Sequence, residues 1–445
     1  MSRDLPNILY LHSHDAGRYV QPYGYNIPTP NVQKLAEEGV LFRQAFCANP
    51  TCSPSRASML TGLWPHQSGM FGLAGKRGWN ITHPERHMAR AFRELAGYTS
   101  VRAGVEHSIG HQTPDPYDRK MESWGAGGGA EFLLSEPTEP FFLSVGLADP
   151  HRMGKGFSPP PNYAATTDPR YVKVPDPFPD TPETRRDMAD YIDATKTMDM
   201  QMGQMLEALE RSGLAENTLV ICTTDHGIAF PDMKCNLTDH GMGVMLIVRG
   251  PGGFEGGRVV DAMVSHLDVY PTICDVLGME GNDRPDWLEG ESMLPLVRNE
   301  ADTIRDEVFG ELNFHAAYEP QRAVRTERYK YIRHFDDNRH RRMPNCDESL
   351  TKDLWLAHGW THDNVLPEHR LYDLVFDPHE RHNVADDPAY ADALSDMQAR
   401  LDRFQERTDD PIRHGPPPVH EKAKPLVNPI GDPSPNTELV PWPNG

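Results

Sequence analysis

Asn49–Gly62, NPTCSPSRASMLTG, is the stretch from which the rest of this chain is best read. Cys52 is followed by Pro54 and Arg56, then by Ala57-Ser58 and Leu60-Thr61-Gly62. Arg56–Leu63 has helical character, which puts Cys52 at or near a helix N-terminus. Backbone N–H groups and the helix dipole there favour an anion. The bland alternative is a buried, inert thiol beside a turn-forming proline.

Upstream, Leu41–Ala45 reads as a short strand and Pro30–Gly39 as an amphipathic helix stopped by its glycine. Asn7–His14 (NILYLHSH) reads as a buried strand that ends in polar residues and runs into a Gly-containing loop. Downstream, a helix and a strand lead to His107, and the apolar strand Pro140–Leu147 leads to Asp149-Pro150-His151-Arg152. Thr184–Gly213 has a long helical pattern whose Met and Leu stripe reads as core. Leu219–Thr223 runs apolar into Thr224-Asp225-His226-Gly227, and a carboxylate at the end of such a strand is costly without a partner. Met245–Val248 is a further strand, and SHLDVYPTICDVLG is a helix closed by Gly278. Strands alternating with helices predict a mostly parallel sheet covered on both faces. Polar clusters at the C-terminal ends of its strands are where such folds place chemistry. After about residue 300 the pattern changes to short antiparallel strands, then a terminal amphipathic helix over Tyr390–Thr408. The expected division is 1–300 for the α/β unit, 301–409 for the smaller sheet and helix, and 410–445 for a Pro-rich, draped tail.

The chain has 44 Lys+Arg against 65 Asp+Glu, a net charge of −21, so its overall field repels polyanions and argues against nucleic acid. An anionic substrate then requires positive charge supplied locally. No apolar run is long enough to span a bilayer, so no membrane partner is expected. The N-terminus enters a strand at once, which reads as lacking a secretory signal. Cys47, Cys52, Cys222, Cys235, Cys274 and Cys346 are scattered, as suits a reducing, cytoplasmic setting.

From Asn7 to about Pro388 the order of these pieces resembles the type I sulfatases. The wording is closest to the heparan N-sulfatase (sulfamidase) branch: TPNVQKLAEEGVLFRQAF, CSPSRASMLTGLWPHQSGMFGL, DPHR, DHGIAFP and LYDLVFDPHERHNVADDP. The resemblance implies an alkaline-phosphatase-like α/β sandwich with a smaller C-terminal sheet. It implies that Cys52 is oxidised to Cα-formylglycine by a formylglycine-generating enzyme. One hydroxyl of the hydrated aldehyde attacks sulfur and the other later expels sulfate, so one hard step becomes two easier ones.

Carried over residue by residue, the family's metal set falls on His14, Asp15, Cys52, Asp225 and His226. His14 stands where the family has a carboxylate, and His226 where it usually has Asn. Calcium is the family's ion; imidazoles suit Mn or Zn better, and Mg is a further candidate. Arg56 matches the Arg that orients the formylglycine, and His107 a His on the transferring group, although the family Lys beside it is Val105 here. Lys234 matches a second sulfate-binding Lys, and His151 the residue that protonates the leaving group. Arg152 and His315, with Gln67, Arg322 and His240 further out, are candidates for the substrate pocket. The implied substrate is a sulfate ester or sulfamate on a sugar or other small molecule. Asp225-His226 also occurs in related phosphodiester and phosphonate monoester hydrolases, the competing activity. A catalytically silent binding relative is the alternative in which Cys52 is never oxidised.

Overall fold

In Asn7–Ser13 (β1) every residue is buried, and its apolar side chains alternate between two cores. Ile8 and Tyr10 enter one, Leu9 and Leu11 the other. A strand apolar on both faces must be covered on both, and this one lies inside the larger of the two main sheets. The computed structural model describes residues 5–110, 113–157, 166–337, 339–359 and 365–417, with the backbone of Leu426–Val427 and Val440–Pro441.

The further strands of the large sheet are β2 (Val40–Phe46), β3 (Thr99–Gly104), β4 (Arg119–Lys120) and β5 (Phe141–Gly146). A two-stranded hairpin, β6 (Arg152–Met153) and β7 (Gly156–Phe157), follows. The large sheet then takes β8 (Thr218–Thr224), β9 (Gly243–Val244), β10 (Leu246–Arg249) and β11 (Arg258–Ser265). Its order is β11-β2-β10-β8-β1-β5-β3-β4, with β9 on β2. Pairing is parallel except around β9 and β10, so the expected mostly parallel sheet is present. The helix Cys52–Thr61 puts Met59 and Leu60 on one face, and the long helix Pro182–Arg211 puts Met198, Met202 and Met205 on the other. The methionine stripe is core, as its spacing predicts.

β1 and β8 run parallel in register, with Ser13 opposite Thr224. The two strands therefore release their next residues, His14-Asp15 and Asp225-His226, at one point on the sheet edge. Gly227 permits the close approach that follows: a Cβ there would lie 1.9 Å from His240 O.

The smaller sheet is antiparallel, in the order β12 (Val308–Phe314), β13 (Tyr318–Arg325), β14 (Tyr329–His334) and β15 (His369–Asp373). Helix Ala391–Arg407 covers it with Met397, Leu401 and Phe404 on Val324, Tyr331 and Leu371. The sheet also shares an apolar cluster with the large one, through Val308, Leu312, Ala323 and Ile332.

The start of the expected tail departs from the draped reading. Asp410 is fully buried and takes a two-bond ion pair from Arg322, at 2.6 Å to Nε and 2.8 Å to Nη2. Glu311 lies 3.4 Å from the same Nε and binds His66 Nδ1 at 2.7 Å. A charge group this deep is retained only when each member is paired. The rest of the Pro-rich segment lies outside the described residues, apart from the backbone pairing of Leu426–Val427 with Val440–Pro441.

Asp410→Ala removes both hydrogen-bonded carboxylate contacts of buried Arg322 and leaves it only the Glu311 carboxylate among the described residues, at 3.4 Å. Losing one partner of a buried ion pair costs about 3–5 kcal/mol, so the urea midpoint should fall clearly. Asp180→Ala, at an exposed pair with Arg185, should leave it unchanged.

Candidate active site

Asp225 is the centre of the polar cluster at the ends of β1 and β8. Its Oδ1 accepts from Asp15 N at 2.9 Å and from His226 N at 3.0 Å, and its Oδ2 accepts from Arg56 Nη2 at 3.0 Å. The Asp15 bond requires a turn at the strand end, and Asp15 makes it with φ of +46°, a left-handed conformation costing about 1–3 kcal/mol that the cluster must hold in place. Burial opposes ionisation of Asp225, but His226, Arg56 and His14 outweigh it and hold the carboxyl well below the usual range.

Cys52 is the first residue of its ten-residue helix. Thr51 turns its hydroxyl to Asn49 Oδ1 at 2.6 Å and does not cap the helix, so the dipole end with Cys52 faces the cluster without a side-chain acceptor. Ser55 Oγ donates to Asp225 O at 2.5 Å and fastens this helix to the end of β8. Cys52 Sγ lies 3.3 Å from His226 Nε2. Burial pushes the thiol well above its ordinary range, so an unmodified Cys52 is a protonated and poor nucleophile.

Lys234 Nζ bridges Asp15 Oδ2 at 3.0 Å and Asp347 Oδ2 at 2.9 Å. Burial alone would lower this lysine; the two carboxylates raise it well above its usual value and keep it cationic. His151 Nδ1 faces Arg152 O at 2.7 Å. A carbonyl only accepts, so Nδ1 carries a proton in either charge state and Nε2 is the atom that gains or loses one. The His14 ring sits edge-on to His151 at 5.1 Å and tilted to His107 at 6.2 Å. Burial first, then Arg56, lowers His14 to about 3 and His107 to about 4, so both are neutral near pH 7. Burial and Lys234 lower His315 to about 3.

The donor chemistry fits a cation. Ligand atoms of Asp15, Cys52, Asp225 and His226 lie within 4.8 Å of one another, as do those of His14, Asp15, Cys52 and His151. His226 Nδ1 faces Gly227 O at 3.0 Å, which leaves the Nε2 lone pair turned to Cys52 and, at 3.4 Å, to Asp15 Oδ1. Asp15 Oδ1 and His14 Nδ1 are buried with no hydrogen-bond partner among the described residues. The His14 nitrogen is 3.0 Å from Asp225 Oδ2 but misaligned for a hydrogen bond. Buried metal-donor atoms left without hydrogen-bond partners leave a place for a positive charge.

Residues 6–279 match the Sulfatase family, and residues 230–349 match the C-terminal family of N-sulphoglucosamine sulphohydrolase. The chain belongs to the sulfatase family. Human N-sulphoglucosamine sulphohydrolase is 31% identical to it, over 95% of both chains. A solved 2-O GAG sulfatase shares the fold with a TM-score of 0.71 at 22% identity, covering 98% of each chain. The phosphonate monoester hydrolase of Agrobacterium radiobacter does so with a TM-score of 0.68 at 21% identity, covering 91% of this chain and 96% of that one. Fold and membership make this sulfatase a sulfuric ester hydrolase of the alkaline-phosphatase-like class, a family that generally uses a metal and formylglycine.

The sequence-predicted residues His14, Asp15, Cys52, Arg56, Asp225, His226 and Lys234 converge, with His107, His151 and His315 around them. Four others do not. Arg152 spends its guanidinium on Asp187, at 2.7 and 2.9 Å, and on Ala229 O, between the Phe157 and Phe230 rings; it is a packed ion pair, not a substrate ligand. Arg322 belongs to the Asp410 pair. Gln67 donates to Glu289 Oε1 at 2.6 Å and accepts from Trp64 N. His240 packs its carbonyl against Gly227, but its ring is spent on Tyr19 and His379.

Two residues of the sulfatase site were missed. His12, buried on β1, hydrogen-bonds Arg56 Nη1 through Nδ1, so its Nε2–H faces Ser144 Oγ at 3.3 Å. It holds the guanidinium that holds Asp225; the signal was a histidine inside an otherwise apolar strand. Asp347, the second partner of Lys234, sits 113 positions away in a loop with no motif around it.

Buried neutral histidines make stability fall in acid. His14, His266 and His315 have folded values near 3 against 6.5 in the unfolded chain, which therefore binds the extra protons. Their contribution is complete above pH 6.5 and is lost as pH falls toward 3. At pH 5.0 each costs about 2 kcal/mol. Urea midpoints at pH 7.5 and 5.0 should differ strongly; equal midpoints would contradict these assignments.

Proposed function

We propose that this sulfatase cleaves a sulfate ester or sulfamate on a small sugar, with Cys52 carried as formylglycine and one divalent ion among Asp15, Asp225, His226 and the residue-52 oxygen. The observation that carries the reading is the convergence of those four donor groups within 4.8 Å, at an uncapped helix start. Cys52 Sγ stands in for a hydroxyl of the formylglycine hydrate. When bound, the ion supplies charge for the sulfate oxygens and lowers the pKa of the nucleophilic hydroxyl. An imidazole beside two carboxylates suits a borderline ion such as Mn or Zn better than Ca.

The chain's own groups have distinct tasks. Arg56, fixed by His12, Ser13 O and Asp225, keeps a permanent positive charge under the residue-52 position. Lys234 offers its remaining proton to a sulfate oxygen. His107 is neutral and acts as a hydrogen-bonding group on the transferring sulfate, not as a second cation. His151 carries the leaving-group proton on Nε2 while Arg152 O holds Nδ1. Sugar as the substrate class rests on the relatives, whose names give N-sulphoglucosamine and GAG. Maturation by a formylglycine-generating enzyme and a reducing cellular setting complete the proposal; all six cysteines are free thiols in this structure. No helix among the described residues is long and apolar enough to cross a membrane.

Initial rates on matched aryl sulfate and aryl phosphonate esters test the reading against the competing activity suggested by Asp225-His226: the sulfate should be the better substrate. His151→Ala should then slow sugar sulfates about 10²–10⁴-fold more than activated aryl sulfates, whose phenolate leaves without a proton. Equal losses on both would remove His151 from the acid role.

A further inference from the structure

A cavity of about 430 Å³ opens between the loop that follows β1, the segment 167–176 and the long helix. That volume lies within the range of small-ligand pockets, about 300–1,000 Å³. None of the Asp225 cluster lines it. Its inner wall is Tyr19, whose ring belongs to an apolar cluster with Ile228, Phe230 and Met233 and whose hydroxyl reaches Met233 Sδ at 3.9 Å.

Two features of this cavity point to a ligand. The first is exposed aromatic surface. Among the described residues the exposed aromatic rings are Tyr25, Trp124, Tyr171 and Phe376, and two of these four, Tyr25 and Tyr171, line this one cavity. The Tyr25 ring rests against Tyr19, with centroids 4.4 Å apart, and the residue is 36% exposed. A tyrosine ring offers an apolar body with a polar tip, which suits the apolar face and hydroxyl edge of a sugar ring.

The second is a polar rim without excess charge. Asp168 and Asp176 are matched by Lys173 and Lys196, and each is already engaged: Asp168 with Arg170 at 2.5 Å, Lys173 with Asp176 at 3.6 Å, Lys196 with Asp193 at 3.1 Å. Lys196 also donates to Thr167 Oγ1 at 2.7 Å. Beside them the His240 and His379 rings stack at 5.3 Å, and His379 stands 3.9 Å from Asp176. A sulfated or phosphorylated ligand would need an unpaired cation, and this rim has its lysines balanced. Hydroxyl groups, which donate to carboxylates and accept from ammonium groups, suit it without any change of charge.

We propose that this cavity is a second saccharide site, holding an uncharged sugar residue with its apolar face on Tyr25 or Tyr171 and its hydroxyls on the Asp/Lys rim. The site does not rest on the sulfatase chemistry of Cys52, so the two can fail separately. Calorimetric titration of the full chain with the neutral probes chitotriose, cellotriose and maltotriose tests it. At least one should bind saturably, and Cys52→Ala should bind it equally well. Tyr25→Ala and Tyr171→Ala, both at exposed positions, should each weaken binding about tenfold or more, with aryl sulfate turnover unchanged. Absence of saturable binding by all three sugars would overturn the proposal, as would both tyrosine variants binding like the wild type.

Discussion

The buried carboxylate of Asp225 is the constraint on which the site depends. Through it the end of β8 holds Asp15 beyond β1 and Arg56 on the Cys52 helix, by bonds of 2.9 and 3.0 Å. These partners lie 210 and 169 positions away in sequence, yet the in-register pairing of β1 with β8 brings the strand ends level. Ser55, bonded to the Asp225 carbonyl, completes the fastening of the helix. Remove the carboxylate and Arg56 becomes a buried cation with only neutral partners, a loss of about 3–5 kcal/mol for pairs of this kind. The same change frees Asp15 from its left-handed turn. Stability and site geometry are thus one interaction seen twice.

Charge balance explains how a chain of net charge −21 can receive an anion. Asp15, Asp225 and Asp347 face Arg56 and Lys234, while His14, His107 and His315 are driven neutral by burial. The innermost set is therefore one charge negative by itself. A divalent ion turns it one charge positive, and in a water-poor pocket that local excess outweighs a distant, screened surface field. Lys234 and Arg56 are the two side-chain cations of this innermost set.

Much of this was legible in the sequence because it is local. The apolar runs that end in Asp225-His226 and His14-Asp15 fix strand, edge and polar cluster together, since a strand buried on both faces leaves chemistry only at its end. The Cys52 turn was readable from seven or so residues in order. What escaped depends on long-range pairing. Arg152 follows an apolar strand and sits beside His151, yet Asp187 on the long helix claims it, and nothing near either residue in sequence announces the pair. Asp410 reads as the start of a structureless tail because the cation that buries it lies on β13, 88 positions earlier. Asp347 was invisible for the same reason. His12 was visible as an anomaly, a histidine within a strand core, but its partner Arg56 was already assigned to another task.

The account's central claim is that residue 52 works as an aldehyde hydrate and not as a thiol, which burial keeps protonated. Trypsin releases Gln44–Arg56, which contains Cys47 as well as Cys52. The decisive measurement is the fragment mass spectrum of that peptide from catalytically active protein. The prediction is loss of sulfur and two hydrogens with gain of one oxygen at position 52, while Cys47, in the same peptide, remains a thiol. Fully active protein whose Cys52 is still an unmodified thiol would contradict the claim.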